Sequence, residues 1–80
     1  MNVVFVSGKI ISKIEFKFII NSKNISIATF FMQFGNNIIK VIAYDEIADY
    51  IYKKFKIKDN VCIFGKLKKN ILEIVEMCLV

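Results

Sequence analysis

Asn36 to Tyr52 reads NNIIKVIAYDEIADYIY, and within it a short alternating strand runs straight into an amphipathic helix. Alternate side chains of a pleated strand share a face. Ile38, Lys40, Ile42 and Tyr44 therefore point one way, and Ile39, Val41 and Ala43 point the other. The second set is wholly apolar and belongs in a core. The first combines a positive charge, aliphatic surface and an aromatic ring, the combination with which a strand holds a phosphate backbone and stacks a base.

After this strand, Asp45 is placed to cap a helix. Glu46 and Asp49 fall in its first turns and Lys53 and Lys54 near its end, the distribution that the helix dipole favours. Ile47, Ala48, Ile51 and Phe55 share one face at helical spacing, so the helix packs on a core and plugs one end of a barrel. Working back, Gly35, Asn36 and Asn37 supply a tight hairpin loop, preceded by a strand from Ile25 to Phe34. That strand alternates Ala28, Phe30, Met32 and Phe34 against Ile27, Thr29, Phe31 and Gln33. Asn21 to Asn24 reads as a turn, and Ile14 to Ile20 sets Glu15 and Lys17 opposite Phe16 and Phe18. The first stretch, Asn2 to Ile10, puts Val4, Val6, Gly8 and Ile10 on one face, and Gly8 inside it marks a bend. Beyond the helix, Val61 to Leu67 forms a strand with Val61, Ile63, Gly65 and Leu67 on one side and Cys62, Phe64 and Lys66 on the other. Lys68, Lys69 and Asn70 form a basic turn, and Ile71 to Val80 closes the sheet.

The expected order is strand, strand, strand, helix, strand, strand, with a long bent first strand. This is an all-β chain with one helix, the order of the five-stranded OB barrel with its helix between strands 3 and 4. In such barrels strands 2 and 3, with the loops joining strands 1 to 2 and 4 to 5, bind oligonucleotides or oligosaccharides.

The chain has 80 residues, 56% of them hydrophobic, and no Pro, so residues 1–80 read as one small domain. Such a domain buries only about 60 to 65% of the surface of its unfolded chain. Its surplus of Ile, Val and Phe points to a homodimer or homotetramer. No apolar run approaches a membrane span, and Met1 to Lys9 lacks the pattern of a signal peptide, so a soluble, cytoplasmic protein is expected. The two cysteines, Cys62 and Cys78, are far apart in sequence and there is no histidine, so no metal site and no cofactor are expected. Both cysteines read as reduced, packed thiols. With scattered carboxylates and no histidine, no catalytic triad or phosphate-cradling glycine loop can be assembled, and the chain reads as a binder rather than an enzyme. The formal net charge is +5, and all 12 basic residues are lysine. AT-rich coding would also favour Lys, Ile and Asn, so the charge is discounted. What remains still favours an anionic partner.

Six short segments also resemble the bacterial single-stranded DNA-binding protein family and its shorter relative, the primosomal replication protein PriB. NVVFVSGKI is similar to the family's N-x-V-x-L-x-G-x-L opening, and EFKF, Glu15 to Phe18, to E-[VL]-R-Y. IATFFMQ, Ile27 to Gln33, resembles V-A-x-F-x-L-A, and VIAYDEIAD, Val41 to Asp49, resembles V-V-[AL]-[WF]-[GN]-K-[LI]-A-[ED]. DNVCIFGKL, Asp59 to Leu67, looks like D-x-V-x-V-x-G-R-L, and LEIVE, Leu72 to Glu76, like T-E-[IV]-V-A. The segments follow the family's order at nearly its spacing. The resemblance implies that Tyr44 takes the place of a base-stacking aromatic and Lys40 that of a backbone-contacting residue. It sets Phe18 against a Tyr, Lys17 against an Arg, and Lys66 at the basic position after the fourth-strand glycine. The departures are short loops, Ile38 where longer members carry tryptophan, and an end at Val80 without the family's linker and acidic tip. They imply weaker affinity and a smaller footprint.

Each candidate has a plainer role beside its functional one. Tyr44 is read as a stacking aromatic rather than a half-buried ring at the start of the helix. Phe5 is read as an interface residue, Phe31 as either a stacking or an interface residue, and Phe64 as packed. Lys66, Lys68 and Lys69 are either phosphate contacts or solvated charges. The candidate nucleic-acid contacts are thus Lys17, Phe18, Phe31, Lys40, Tyr44, Lys66, Lys68 and Lys69. The expected function is single-stranded DNA binding without strong sequence preference, in replication, recombination or plasmid or phage DNA handling, with RNA as a variant. The alternative is an oligomerising adaptor that no longer grips nucleic acid.

Overall fold

The computed structural model describes residues 2–20 and 24–79. Its elements are β1 (Asn2–Ile10), β2 (Glu15–Ile19), β3 (Ile25–Phe34), β4 (Asn37–Tyr44), α1 (Asp45–Lys54), β5 (Asn60–Lys68) and β6 (Ile71–Leu79). The turn expected at Asn21 to Asn24 falls mainly on residues 21–23, which lie outside the described residues, as does Val80 at the end of the last strand.

The strands form one sheet in the order β1-β5-β6-β4-β3-β2, and a further pairing of β1 with β3 closes it into a barrel. β1 and β2 are two halves of the bent first strand. The end of β1 pairs with the end of β3 through Lys9 with Gln33 and Ile10 with Met32, while β2 pairs with the start of β3 from Glu15 with Thr29 to Ile19 with Ile25. Counted this way the barrel has the five expected strands. Because the bend divides the first of them, α1 lies between β4 and β5 of the six observed segments. The parallel contact of β4 with β6, Lys40 to Ile42 against Ile71 to Glu73, completes the circuit.

Two glycines are fixed by how closely the strands approach. A Cβ on Gly8 would lie 2.3 Å from the Gln33 carbonyl oxygen, so only glycine lets β1 reach β3 where the barrel closes. A Cβ on Gly65 would lie 2.3 Å from the Glu73 carbonyl oxygen. There Phe64 pairs with Glu76 but Gly65 with Ile74, leaving Val75 as the extra residue of a β-bulge that bends β6 around the barrel.

The hairpins obey local turn chemistry. Gly35, with φ 59, and Asn36 form a two-residue loop between paired Phe34 and Asn37, one residue tighter than the expected three. Lys69 and Asn70, with φ 46 and 66, join β5 to β6 with the two left-handed residues of a type I′ turn. Before β5, the Asp59 amide donates to the Lys56 carbonyl at 3.1 Å, and the Asp59 carboxylate accepts from the Lys56 amide at 2.9 Å. Lys58 occupies the third position of that turn at φ 82, where a type II turn favours glycine.

Inward residues follow the expected alternation. Ala28, Phe30 and Met32 of β3, Val41 and Ala43 of β4, Val61 and Ile63 of β5, and Leu72, Ile74 and Met77 of β6 are buried. The helix adds Ala48 and Ile51, with Phe55 just beyond it. Each fully buried Ile, Leu, Phe or Met contributes about 1.5–3 kcal/mol, so the helix face closes the barrel energetically as well as geometrically. One local expectation fails: Asp45 is not the N-cap. Tyr44 holds that position in extended conformation, φ −125 and ψ 151, with no side-chain capping bond, and Asp45 is the first helical residue at φ 54. The abrupt passage from strand to helix takes up the cap position with a strand residue, and a left-handed Asp45 makes the corner, a conformation that Asp tolerates better than most residues.

Candidate nucleic-acid interface

The outward faces of β2, β3 and β4 build the candidate surface from three short cross-strand rows. Lys17 stands opposite Ile27, and Ile27 opposite Tyr44. Glu15 stands opposite Thr29, and Thr29 opposite Ile42. Phe31 stands opposite Lys40. Directly opposed side chains share a face and touch. The rows therefore gather Lys17 of β2, Phe31 of β3, and Lys40 and Tyr44 of β4 onto one side of the sheet.

Between them lies a depression of about 380 Å³ whose lining includes Lys17, Ile27, Thr29 and Lys40. Tyr44 marks one end, through its partner Ile27, and Phe31 the other, through its partner Lys40. Tyr44 is 39% and Phe31 44% exposed, so part of each ring is open to solvent. Along β4, Lys40 and Tyr44 are separated by about 13 Å, four strand residues. The arrangement offers ring faces at two points and ammonium groups between them, with Glu15 as the acidic group in the same depression.

Phe31 is also held from behind. Its amide donates to Ser12 Oγ at 2.7 Å, and its carbonyl accepts from the Ile11 amide at 2.9 Å, tying the bend of the first strand to β3. That bend opens a second cleft of about 530 Å³, lined by Lys13, Glu15, Phe16, Phe31 and Tyr52 among others. Phe16 and Tyr52 stack there with ring centroids 4.8 Å apart and 29° between their planes. Lys13 and Tyr52 therefore adjoin the candidate surface, and the sequence reading did not single them out. Their only sequence signal is weak: Tyr52 is an exposed aromatic on the polar side of the helix, and the fold alone brings it beside β3.

The remaining candidates are dispersed. Phe18 pairs with the buried Ser26, which puts it on the opposite side of β2 from Lys17, at the rim of the barrel and 52% exposed. Lys66 faces outward on β5 but stands directly opposite Glu73, which offsets its charge. Lys68 is opposite Ile71, itself opposite Lys40, so this row continues around the barrel from the candidate surface. Lys69 sits at the tip of the β5–β6 hairpin. Among the described residues there is no group of three or more His, Cys, Asp or Glu side chains arranged to hold a metal ion, and no helix long and apolar enough to cross a membrane.

No family model matches the sequence, and no curated protein matches it. Solved structures do. The SSB domain of a Synechococcus sp. protein is similar at TM-score 0.87 and 15% identity, over 96% of this chain and 93% of that one. A small single-stranded DNA-binding protein from Streptomyces coelicolor is similar at TM-score 0.78 and 16% identity, over 100% of this chain and 95% of that one. The wild-type single-stranded DNA binding protein from Thermus aquaticus gives TM-score 0.84 and 13% identity over all of this chain, which spans 40% of that longer protein. These likenesses are of fold: the closed barrel with one helix is an OB fold, similar to those of the solved SSB domain and single-stranded DNA-binding proteins.

Proposed function

We propose that this chain binds single-stranded DNA, without strong sequence preference, across the outward face of β2, β3 and β4. The observation that carries this reading is the cross-strand gathering of Lys17, Lys40, Tyr44 and Phe31 around one open depression. Lysines neutralise phosphates and release counterions, while Tyr44 and Phe31 stack on bases at about 1–3 kcal/mol each. Lys13 and Tyr52 extend the track toward the bend of the first strand, and Lys68 and Lys69 extend it along the β5–β6 hairpin. Lys66 contributes less, because Glu73 faces it, and Phe18 acts only if the strand passes over the rim. The solved structures named above, two from proteins called single-stranded DNA-binding and one an SSB domain, support the same reading. The absence of histidine agrees with a binding role rather than a catalytic one.

The same reading includes a homodimer or homotetramer. Phe5 is 68% exposed and faces Phe64 across β1 and β5, with Val3 exposed on the same side. The edge of β1 away from β5 meets a described strand only at Lys9 and Ile10. An apolar face beside an open strand edge favours association with a second copy. That face also supports the competing reading, an oligomerising adaptor without a grip on nucleic acid.

A titration of labelled oligo-dT at several salt concentrations separates the two. Binding that weakens steeply with salt, and that Lys40→Ala with Tyr44→Ala abolishes, supports the first. Affinity that is flat with salt, or untouched by the double substitution, rejects it. Competition between oligo-dT and oligo-U decides between DNA and RNA.

A further inference from the structure

The two cysteines, 16 positions apart in sequence, are direct partners in the β5–β6 ladder: Cys62 is opposite Cys78. Both thiols are free, as expected, but Cys78 is exposed rather than packed, and the register makes the two neighbours. Neighbours Val61 and Ile63 point into the core, so Cys62 points outward, where it is half-buried, and Cys78 on the same outward side is exposed. Ser7 of β1 stands opposite Cys62 in turn, and the Cys62 thiol donates weakly to the Ser7 hydroxyl at 3.8 Å. The row Ser7, Cys62, Cys78 therefore crosses three strands on the face away from β2, β3 and β4.

From this geometry we infer that Cys62 and Cys78 are a site of reversible oxidation, closing to a cross-strand disulfide on reaction with a low-molecular-weight disulfide such as oxidised glutathione. Directly opposed residues of an antiparallel pair have Cα atoms about 4.5–5.5 Å apart, within the range that a disulfide spans. Their Cβ atoms stand at about the same separation, slightly wider than a relaxed disulfide prefers. The bridge thus closes without moving the strands far, and it carries the strain that makes a disulfide easy to reduce. Cys78 is the accessible nucleophile. Its thiolate attacks glutathione disulfide, forming a mixed disulfide and releasing one glutathione thiolate. The Cys62 thiolate then attacks the Cys78 sulfur and expels the second. Two protein thiols lose two electrons, one disulfide gains them, and the thiol protons pass to the released glutathione or to solvent.

The test incubates the full chain in glutathione buffers of graded oxidised-to-reduced ratio, quenches with acid, and reads intact mass, a non-reducing gel and a peptide map. The expected product is a monomer lighter by two hydrogens, with one linked peptide pair joining Cys62 and Cys78, and excess reduced glutathione reverses it. Cys62→Ser is expected to stop at a mixed disulfide on Cys78. Cys78→Ser is expected to react more slowly, at the half-buried Cys62. A wild type that ends with glutathione on both thiols, forms only disulfide-linked dimers, or stays reduced at every ratio overturns the assignment. Each variant changes a single outward side chain, so either one suffices if the other folds poorly.

Discussion

Gly65→Ala is the sharpest test of how closely β5 and β6 approach at the bulge that bends β6 around the barrel. The new methyl carbon would sit 2.3 Å from the Glu73 carbonyl oxygen, more than 1 Å inside ordinary van der Waals contact at 3.4 Å. The obstacle is backbone, so β5 and β6 must separate at the bulge. A displacement of about 1 Å stretches a hydrogen bond of about 2.9 Å beyond effective length. Two neighbouring ladder bonds lost there, with a buried group left unpaired, cost about 3–5 kcal/mol. Chains of this size are stable by about 4–12 kcal/mol in total, and each kcal/mol shifts Tm by about 4–8 °C. Thermal and urea unfolding, followed by far-ultraviolet circular dichroism at fixed protein concentration, should show Tm lower by at least about 12 °C. Gly35→Ala is the control. Nothing lies within 4 Å of a Cβ there, but φ is 59. Its cost is the left-handed backbone alone, about 1 kcal/mol. If Gly65→Ala unfolds within a few degrees of wild type, or less readily altered than Gly35→Ala, the reasoning from close strand approach is wrong.

The salt dependence of oligonucleotide binding should lose about 0.7 units of logarithmic slope for each phosphate-contacting lysine removed. Lys17→Ala with Lys40→Ala is therefore expected to flatten the slope by about 1.4, whereas Lys66→Ala should change it little, because Glu73 faces that lysine; equal effects at all three positions would contradict the proposed surface. Lys58→Gly relieves a left-handed residue in a type II turn and should raise stability by about 0.5–1 kcal/mol, read as a higher Tm; a lower Tm would refute the turn assignment. Phe5→Glu puts a charge into the exposed β1–β5 face, and sedimentation should show a smaller species than wild type at equal concentration. An unchanged mass would place any self-association elsewhere.

How much of this was legible in the sequence follows from the range over which each signal acts. Strand alternation in Ile38 to Tyr44 is set by the pleat of a single chain, and it fixed correctly which side chains enter the core and which leave it. Turn chemistry at Gly35 and Asn36 is equally local. The helix face of Ala48, Ile51 and Phe55 was readable from spacing alone, and so was the order of elements that names the barrel. The Asp45 cap misled, since residue type suggested a free helix start and the chain instead arrives there directly from a strand.

What the sequence determined by itself was therefore parity and order, because those depend on neighbours a few residues away. Register was decided by the tertiary structure. Only the pairing of β2 with β3 and of β3 with β4 sets Lys17 and Tyr44 on either side of Ile27 and Phe31 beside Lys40, and only the packing of α1 brings Tyr52 to the edge of the cleft. Only the β5–β6 ladder makes partners of Cys62 and Cys78. A shift of one residue in either ladder would turn every one of these side chains to the opposite face, and that choice is made by closing the barrel around a core drawn from all its strands.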